Sequence, residues 1–386
     1  MLPSATWSYP TAIRFGAGRI EELATACASA GITRPLFVTD PGLRDLPVTT
    51  RAIGILAAAG VPTAVFSDVQ PNPTEENVAA GLAVLREGGH DGVVAFGGGS
   101  TLDCGKVVAF MRGQTRPMWD FEDIGDGWTR ADPAGVAPVV AVPTTAGTGS
   151  EVGRAAVITN LATRTKKVIF HPRMLPREVI LDPELTLGLP SAITAGTGMD
   201  ALAHCLEAYC APGFHPMAEG IAVEGIRLVQ ENLPRAYRDG SDLEARANML
   251  VAASMGATAF QKGLGAIHAL SHPVGALYGT HHGLTNAVFM PYVLDFNREM
   301  LRDKADRLSA WLGLEGGFSG LLDFILRLRR DIGIPHTLDR IGVDDRRFAE
   351  MAEMAVVDPT AGGNPKAFGV EDALELYRRA YEGRLG

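Results

Sequence analysis

The chain has 386 residues, of which 46% are hydrophobic and 20% charged, with a formal net charge of -9. That length supports two or three lobes, each able to bury a core. The acidic balance argues against a nucleic-acid binder, which would carry basic surface, and no apolar run approaches the ~20 residues of a membrane span.

The four cysteines, Cys27, Cys104, Cys205 and Cys210, form no CxxC pair. A reducing, cytoplasmic compartment is the simplest reading. Met1 to Pro10 lacks the basic start and apolar core of a secretory leader.

Along the first half, short β-branched runs alternate with helical stretches. Residues 36–39, 63–66, 92–96 and 139–142 read as strands. Residues 74–87 read as a helix, with Thr74 as N-cap, Val78, Leu82 and Leu85 on one face, and Gly88-Gly89 as the stop. Residues 112–135 are polar and rich in Gly, Asp and Pro, and read as a surface excursion. From Leu189-Pro190 onward the pattern is helical, and residues 248–260 are apolar all round, as in a buried helix. The expected fold class is an α/β N-terminal dinucleotide-binding domain over residues 1–189 and an all-α C-terminal metal-binding domain over residues 190–386.

Two glycine-rich turns follow strands in the first half. Gly92-Val93-Val94-Ala95-Phe96 runs into Gly97-Gly98-Gly99-Ser100, then Thr101-Leu102-Asp103. Strand, glycine turn and helix start let a backbone approach a pyrophosphate and aim free N–H groups at it. The same residues also suit a tight turn with a Ser100–Asp103 capping box, and the GxGxxG fingerprint is absent. The second turn is Pro143-Thr144-Thr145-Ala146-Gly147-Thr148-Gly149-Ser150-Glu151, small and rich in hydroxyls. Asp40 ends the strand at residues 36–39, where a carboxylate can accept from ribose hydroxyls. It would repel a 2′-phosphate by about 4 kcal/mol per unit charge at an effective dielectric near 20, which favours NAD over NADP. The same residue, before Pro41-Gly42, suits the start of a turn.

The second half carries a metal constellation. Only nine histidines occur, and His204, His268, His272, His281 and His282 cluster around Asp200 in the sequence. Asp200 and His204 stand at i and i+4, on one side of a helix. His268 and His272 repeat that spacing on a stretch that Pro273 can end, and His281-His282-Gly283 reads as a loop. One carboxylate and three imidazoles fill four positions on Fe2+ or Zn2+ and leave room for a substrate oxygen. Metal and dinucleotide in one chain point to hydride transfer.

Taken together, Gly97 to Ser100 with Asp103, Pro143 to Glu151, Gly198-Met199-Asp200-Ala201-Leu202-Ala203-His204 and His268 with His282-Gly283 occur in the order seen in iron-containing (group III) alcohol dehydrogenases. Pro71 to Thr74 and Leu181 to Leu185 are also similar to segments of that family, so the resemblance covers nearly the whole chain. It implies the dehydroquinate-synthase-like architecture, with an active-site cleft between the two domains. By matching motif it implies Asp200, His204, His268 and His282 as metal ligands and His272 as a proton relay or substrate contact. It further implies Asp40, Gly98, Gly99, Ser100, Asp103, Thr144, Thr145 and Thr148 as cofactor contacts, with Lys166 or Lys167 nearby. His281 matches no family ligand and reads as a neighbour of the site or as surface. The implied reaction is NAD(H)-linked oxidation of a primary or small secondary alcohol, or reduction of the aldehyde, on Fe2+ or Zn2+. The implied assembly is a homodimer or larger.

One departure is Glu151-Val152-Gly153-Arg154, where many relatives have Glu-Val-Thr. Arg154 there suits either an anionic substrate or an acidic neighbour. The nearest rival reading is a cyclase of the dehydroquinate-synthase type, which needs a cluster of basic residues for its substrate. Between Gly198 and His282 there are only Arg227, Arg235, Arg238, Arg246 and Lys262, spread along helices. A binding-only protein would keep the glycine turns and lose the ligands, and all four are present.

Overall fold

Short apolar strands separated by helices favour a parallel sheet, because each crossover helix returns the chain in the same direction. The structure, a computed structural model, describes residues 9–386. The expectation about a leader falls mostly on residues 1–8, which lie outside the described residues. The strands are β1 (Ala12–Phe15), β2 (Pro35–Val38), β3 (Ala64–Phe66), β4 (Gly92–Gly97), β5 (Val139–Pro143), β6 (Ala155–Asn160), β7 (Thr165–Phe170) and β8 (Glu178–Leu181). Among the described residues, six form one sheet in the order β1-β8-β5-β4-β2-β3, with every neighbouring pair parallel. β6 and β7 form a separate antiparallel hairpin. Central β4 and β5 are buried at every residue, which is why they read as continuous apolar runs without alternation.

The helices of this half are α1 (Leu23–Ser29), α2 (Pro47–Ala58), α3 (Glu75–Glu87) and α4 (Gly99–Met111). α3 starts where expected: Thr74 is its N-cap, and Asn77 Oδ1 accepts from Thr74 N at 3.0 Å. Residues 112–135 run mostly exposed, as a surface excursion should, but a few of their side chains turn inward. The segment folds back and buries Phe121 edge-on against Phe110 of α4, with ring centres 5.0 Å apart. Phe121, with Met118 and Ala131 in the same core, holds a polar loop down, and composition averages hide such anchors.

From Leu189 onward the described residues form helices: α5 (Ser191–Cys210), α6 (Pro216–Arg238), α7 (Leu243–Ala259), α8 (Ala266–Tyr278), α9 (His282–Phe296), α10 (Arg298–Trp311), α11 (Gly317–Asp331), α12 (Phe348–Val356) and α13 (Val370–Glu382). α5 is buried on almost every side and packs on α6, α7 and α9. Met199, Leu202, Ile226, Leu250, Phe289 and Tyr377 belong to the core of this half.

Two local expectations are corrected here. Pro273 does not end its helix; α8 continues through it to Tyr278. A proline removes one backbone donor, and packing of α8 against α9 and α12 outweighs that loss. His281 and His282 are not in a loop. His282 opens α9, and His281 is its N-cap, with Nδ1 accepting from Leu284 N at 3.3 Å. Histidine is an uncommon N-cap, so its sequence gave no start signal.

The chain separates into two units. One is Tyr9–Thr145 with Gly149–Gly188, and the other is Leu189–Gly386 with the three residues Ala146–Thr148. No described helix is long and apolar enough to cross a membrane.

Candidate metal centre

Three helices of the second unit each contribute a pair of polar residues four apart. α5 carries Asp200 and His204, α8 carries His268 and His272, and α9 carries His282 and Asn286. That spacing places both members of a pair on one helix face. Asp200, His204 and His268 are buried, and each brings one ligand atom within 4.8 Å of the other two. His204 Nδ1 lies 4.0 Å from Asp200 Oδ2, and His268 Nε2 lies 3.9 Å from Asp200 Oδ1. His282 Nε2 is 3.7 Å from the same oxygen, on a side chain that is 26% exposed. His282 is thus the least buried of the four.

These separations are slightly wider than the roughly 3.4 Å made across a tetrahedral angle by two ligands at about 2.1 Å. The donor set, one carboxylate and three imidazoles, suits Fe2+ or Zn2+. The strongest sign of fit is His204 Nδ1, which is buried and has no hydrogen-bond partner among the described residues. An orphaned buried nitrogen is costly unless something else occupies its lone pair. Burial pushes the His204 imidazole down to about 4, against the pull of Asp200, so it is held neutral, the form that binds a metal. Burial pulls His268 down too, but the charge and hydrogen bond of Glu207, with Asp200, outweigh it and hold that imidazole above its usual range.

Several neighbours escaped the sequence reading. Asn286 Nδ2 donates to Asp200 Oδ1 at 2.8 Å and lies 3.2 Å from both His268 Nε2 and His282 Nε2. It marks the point on which those lone pairs converge. Ser271 Oγ donates to Asn286 Oδ1, which fixes which end of the amide faces the group. Glu207 takes His268 Nδ1, and Asp358 Oδ2 lies 2.8 Å from His272 Nδ1. Burial alone would raise Asp358, yet the His272 pair and the Thr360 hydrogen bonds hold it below the usual carboxylate range. The i+4 step from His282 to Asn286 was visible in the sequence. The Asp358 contact was not, because 86 residues separate the partners.

In the first unit, β4 ends at Gly97, where a Cβ would stand 2.7 Å from Thr101 Oγ1. α4 then begins at Gly99 with no side chain capping it, so Gly98, Gly99 and Ser100 form a bare helix N-terminus. The Ser100–Asp103 capping box does not form. Ser100 Oγ donates to Pro71 O, while Asp103 accepts from Ser150 Oγ at 2.5 Å and Val157 N at 2.8 Å. Asp103 therefore holds the segment after β5 in place. The fully buried Lys106 joins it, 3.3 Å from Asp103 Oδ1 and donating to Ser150 O and Ala155 O. Thr144 N donates to Gly97 O at 3.0 Å, and Thr145 stands beside Gly98, so the two turns meet. Thr148 belongs to the other unit. Asp40 caps its own turn, with Oδ1 accepting from Gly42 N and Leu43 N, while Oδ2 accepts from Thr101 Oγ1 at 3.3 Å. Lys166 and Lys167 are neighbours on β7, and Lys167 pairs with Glu122 at 2.6 Å. The Arg154 guanidinium lies 5.5 Å from the centre of the Phe170 ring.

A family profile described as iron-containing alcohol dehydrogenase matches residues 10–183, and that of the C-terminal part of the same family matches residues 194–381. The chain belongs to the iron-containing alcohol dehydrogenase family. It is 42% identical over 385 residues to a 4-hydroxybutyrate dehydrogenase of Cupriavidus necator, covering 97% of this chain and 98% of that one. Its fold matches the crystal structure of a 1,3-propanediol oxidoreductase with a TM-score of 0.93 and 37% identity, over 98% of this chain and 100% of that one. It also matches a sulfoacetaldehyde reductase of Bifidobacterium kashiwanohense in complex with NAD+, with a TM-score of 0.88 and 29% identity, over 98% and 99%. The expected architecture, a parallel-sheet N-terminal part with a helical C-terminal part, stands. The protein is a metal-dependent, NAD-linked alcohol dehydrogenase of this family.

Proposed function

We propose that Asp200, His204, His268 and His282 hold Fe2+, with Zn2+ acceptable to the same donors, and that the β4–α4 turn holds NAD(H). The orphaned, buried Nδ1 of His204 among two further imidazoles and Asp200 carries this reading. When bound, the metal supplies Lewis acidity toward an alcohol or carbonyl oxygen, and the nicotinamide takes or returns the hydride. The chain's own residues do the remainder. Asp200 supplies negative charge to offset the cation, and Asn286 fixes that carboxylate by hydrogen bond. Bare amides at Gly99 and Ser100 suit a pyrophosphate. Thr144, Thr145 and Thr148 offer hydroxyls for ribose or phosphate, with Lys166 as a further contact. Asp103 positions the segment that follows those threonines. His272, tied through Nδ1 to Asp358, keeps Nε2 for holding or releasing the hydroxyl proton.

The proposed substrate is a short primary alcohol bearing a second hydroxyl or a carboxylate at its far end, or the matching aldehyde. The names of the relatives support this, and Arg154 is the chain's own candidate for an anionic end. The proposed setting is cytoplasmic, in keeping with four free cysteines. The proposed assembly, a homodimer or larger, rests on the resemblance and is read by light scattering. Function is tested by following NADH consumption with Fe2+-loaded protein against short aldehydes with plain, hydroxy and carboxy ends. Turnover is expected to vanish with a chelator and return with Fe2+. Steady binding of metal and NAD without net NADH consumption on any aldehyde would favour the cyclase-type rival.

Cofactor choice has its own test. Asp40→Asn keeps the oxygen that caps the turn and removes the charge that opposes a 2′-phosphate. The NAD-to-NADP ratio of kcat/KM is expected to fall by about 10- to 100-fold, less than full contact repulsion would give because Asp40 is partly solvated. An unchanged ratio would reduce Asp40 to a turn residue.

A further inference from the structure

Helix α8 carries both His268 and His272, yet its N-cap is Gly265, which has no side chain to offer its free amides. Two side chains from elsewhere take them. Asn364 Oδ1 accepts from Ala266 N at 3.2 Å, and Glu207 Oε1, from α5, accepts from Ile267 N at 2.7 Å. The second oxygen of Glu207, Oε2, lies 2.5 Å from His268 Nδ1. One buried carboxylate thus anchors the first turn of α8 and engages the ring of the histidine on that turn. An ionised carboxylate only accepts hydrogen bonds, so His268 carries its proton on Nδ1. Its Nε2 lone pair is left facing the ligand group, 3.2 Å from Asn286 Nδ2 and 3.9 Å from Asp200 Oδ1.

We infer that Glu207 is a positioning residue: it fixes the tautomer and orientation of His268 so that Nε2 is presented for metal binding. The inference rests on the reading of His268 as a ligand. Spacing supports it, since Asp200, His204 and Glu207 fall at i, i+4 and i+7 on α5. That stripe turns all three toward the group, with two at the ion and one behind a ligand. Partners behind a ligand, when lost, typically cost 10–100-fold in metal affinity.

Glu207→Gln separates this role from simple helix capping. Ile267 N and His268 Nδ1 use separate oxygens of Glu207, and a glutamine replaces one of these with an NH2 that cannot accept. The metal-free full chain is titrated with Co2+, whose visible spectrum reports ligand geometry. Folding is checked by circular dichroism and thermal melting. Glu207→Gln is expected to weaken Co2+ binding by about 10–100-fold and to change the spectrum. Asn364→Ser, which loosens the same helix end without touching His268, is expected to lower the melting temperature and leave Co2+ affinity within about threefold of wild type. Should Glu207→Gln not fold, Glu207→Asp keeps the charge, draws it back by one methylene, and is expected to show the same loss. Wild-type affinity and spectrum in the Glu207 variant, alongside loss in His268→Ala, would overturn the inference and leave the ligand reading intact. Equal losses in Glu207→Gln and Asn364→Ser would overturn it in favour of helix capping. Unchanged Co2+ binding in His268→Ala would overturn both.

Discussion

Replacing His268 with alanine is expected to lower kcat for aldehyde reduction by about 1,000-fold or more while NAD binding survives. The side chain is 2% exposed and brings Nε2 to within 3.9 Å of Asp200, so its loss leaves a gap inside the buried group. Lewis-acid stabilisation is worth several kcal/mol in the transition state, and each 1.36 kcal/mol is tenfold in rate. Metal content should fall with activity, because three remaining donors hold an ion less firmly than four. The glycine turn that is proposed to take NAD lies in the other unit of the chain, so its affinity should change little. Metal analysis, steady-state kinetics and NADH fluorescence titration check the three parts. Full metal and full turnover in this variant would sink the ligand assignment.

The second large effect concerns packing. Gly283→Ala is expected to destabilise the protein and empty the metal group together. Gly283, the second residue of α9, lies directly against α5. A Cβ there would collide with Gly196 O and stand 2.9 Å from Asp200 Cβ. Real side-chain carbons do not approach backbone this closely, so α9 must move away from α5. Overpacking of this kind typically costs about 1–3 kcal/mol, which corresponds to a fall in Tm of about 2–12 °C for a unit of this size. The shift would carry His282 and Asn286 away from Asp200. A thermal melt and an iron assay decide it, and wild-type values in both would mean that the contact relaxes without cost.

Much of this was legible in the sequence, and the reasons are local. Asp200 and His204 share a helix face by arithmetic, as do His268 and His272. β2, β4 and β5 were clear because buried parallel strands are short apolar runs. What escaped depended on distant partners. β1 has exposed positions along its length, and only pairing with β8 makes it a strand. Asp358 and Glu207 look like ordinary helix or turn carboxylates until the fold sets them behind His272 and His268. Nor does the sequence show that Asp40 also caps its own turn, or that Asp103 also accepts from Ser150 and Val157. A carboxylate at a strand end serves a turn and a ribose equally well on paper. Pro273 misled because local rules stop a helix that tertiary packing continues.

The pairing of β1 with β8 also sets a timetable for making the molecule. Thr11 Oγ1 bonds the carbonyl of Arg177 across a sequence separation of 166 residues, beside the β1–β8 ladder. A ribosome adding about 5–20 residues per second needs roughly ten to thirty seconds to cover that span. During that interval β1, with Ile13 and Phe15 exposed even in the finished fold, has no ladder partner. Its wait ends only when the strand that separates it from β5 emerges. Early translational stalling before Leu181 should therefore yield a nascent chain that chaperones hold, whereas stalling well beyond it should yield a first unit already resistant to protease.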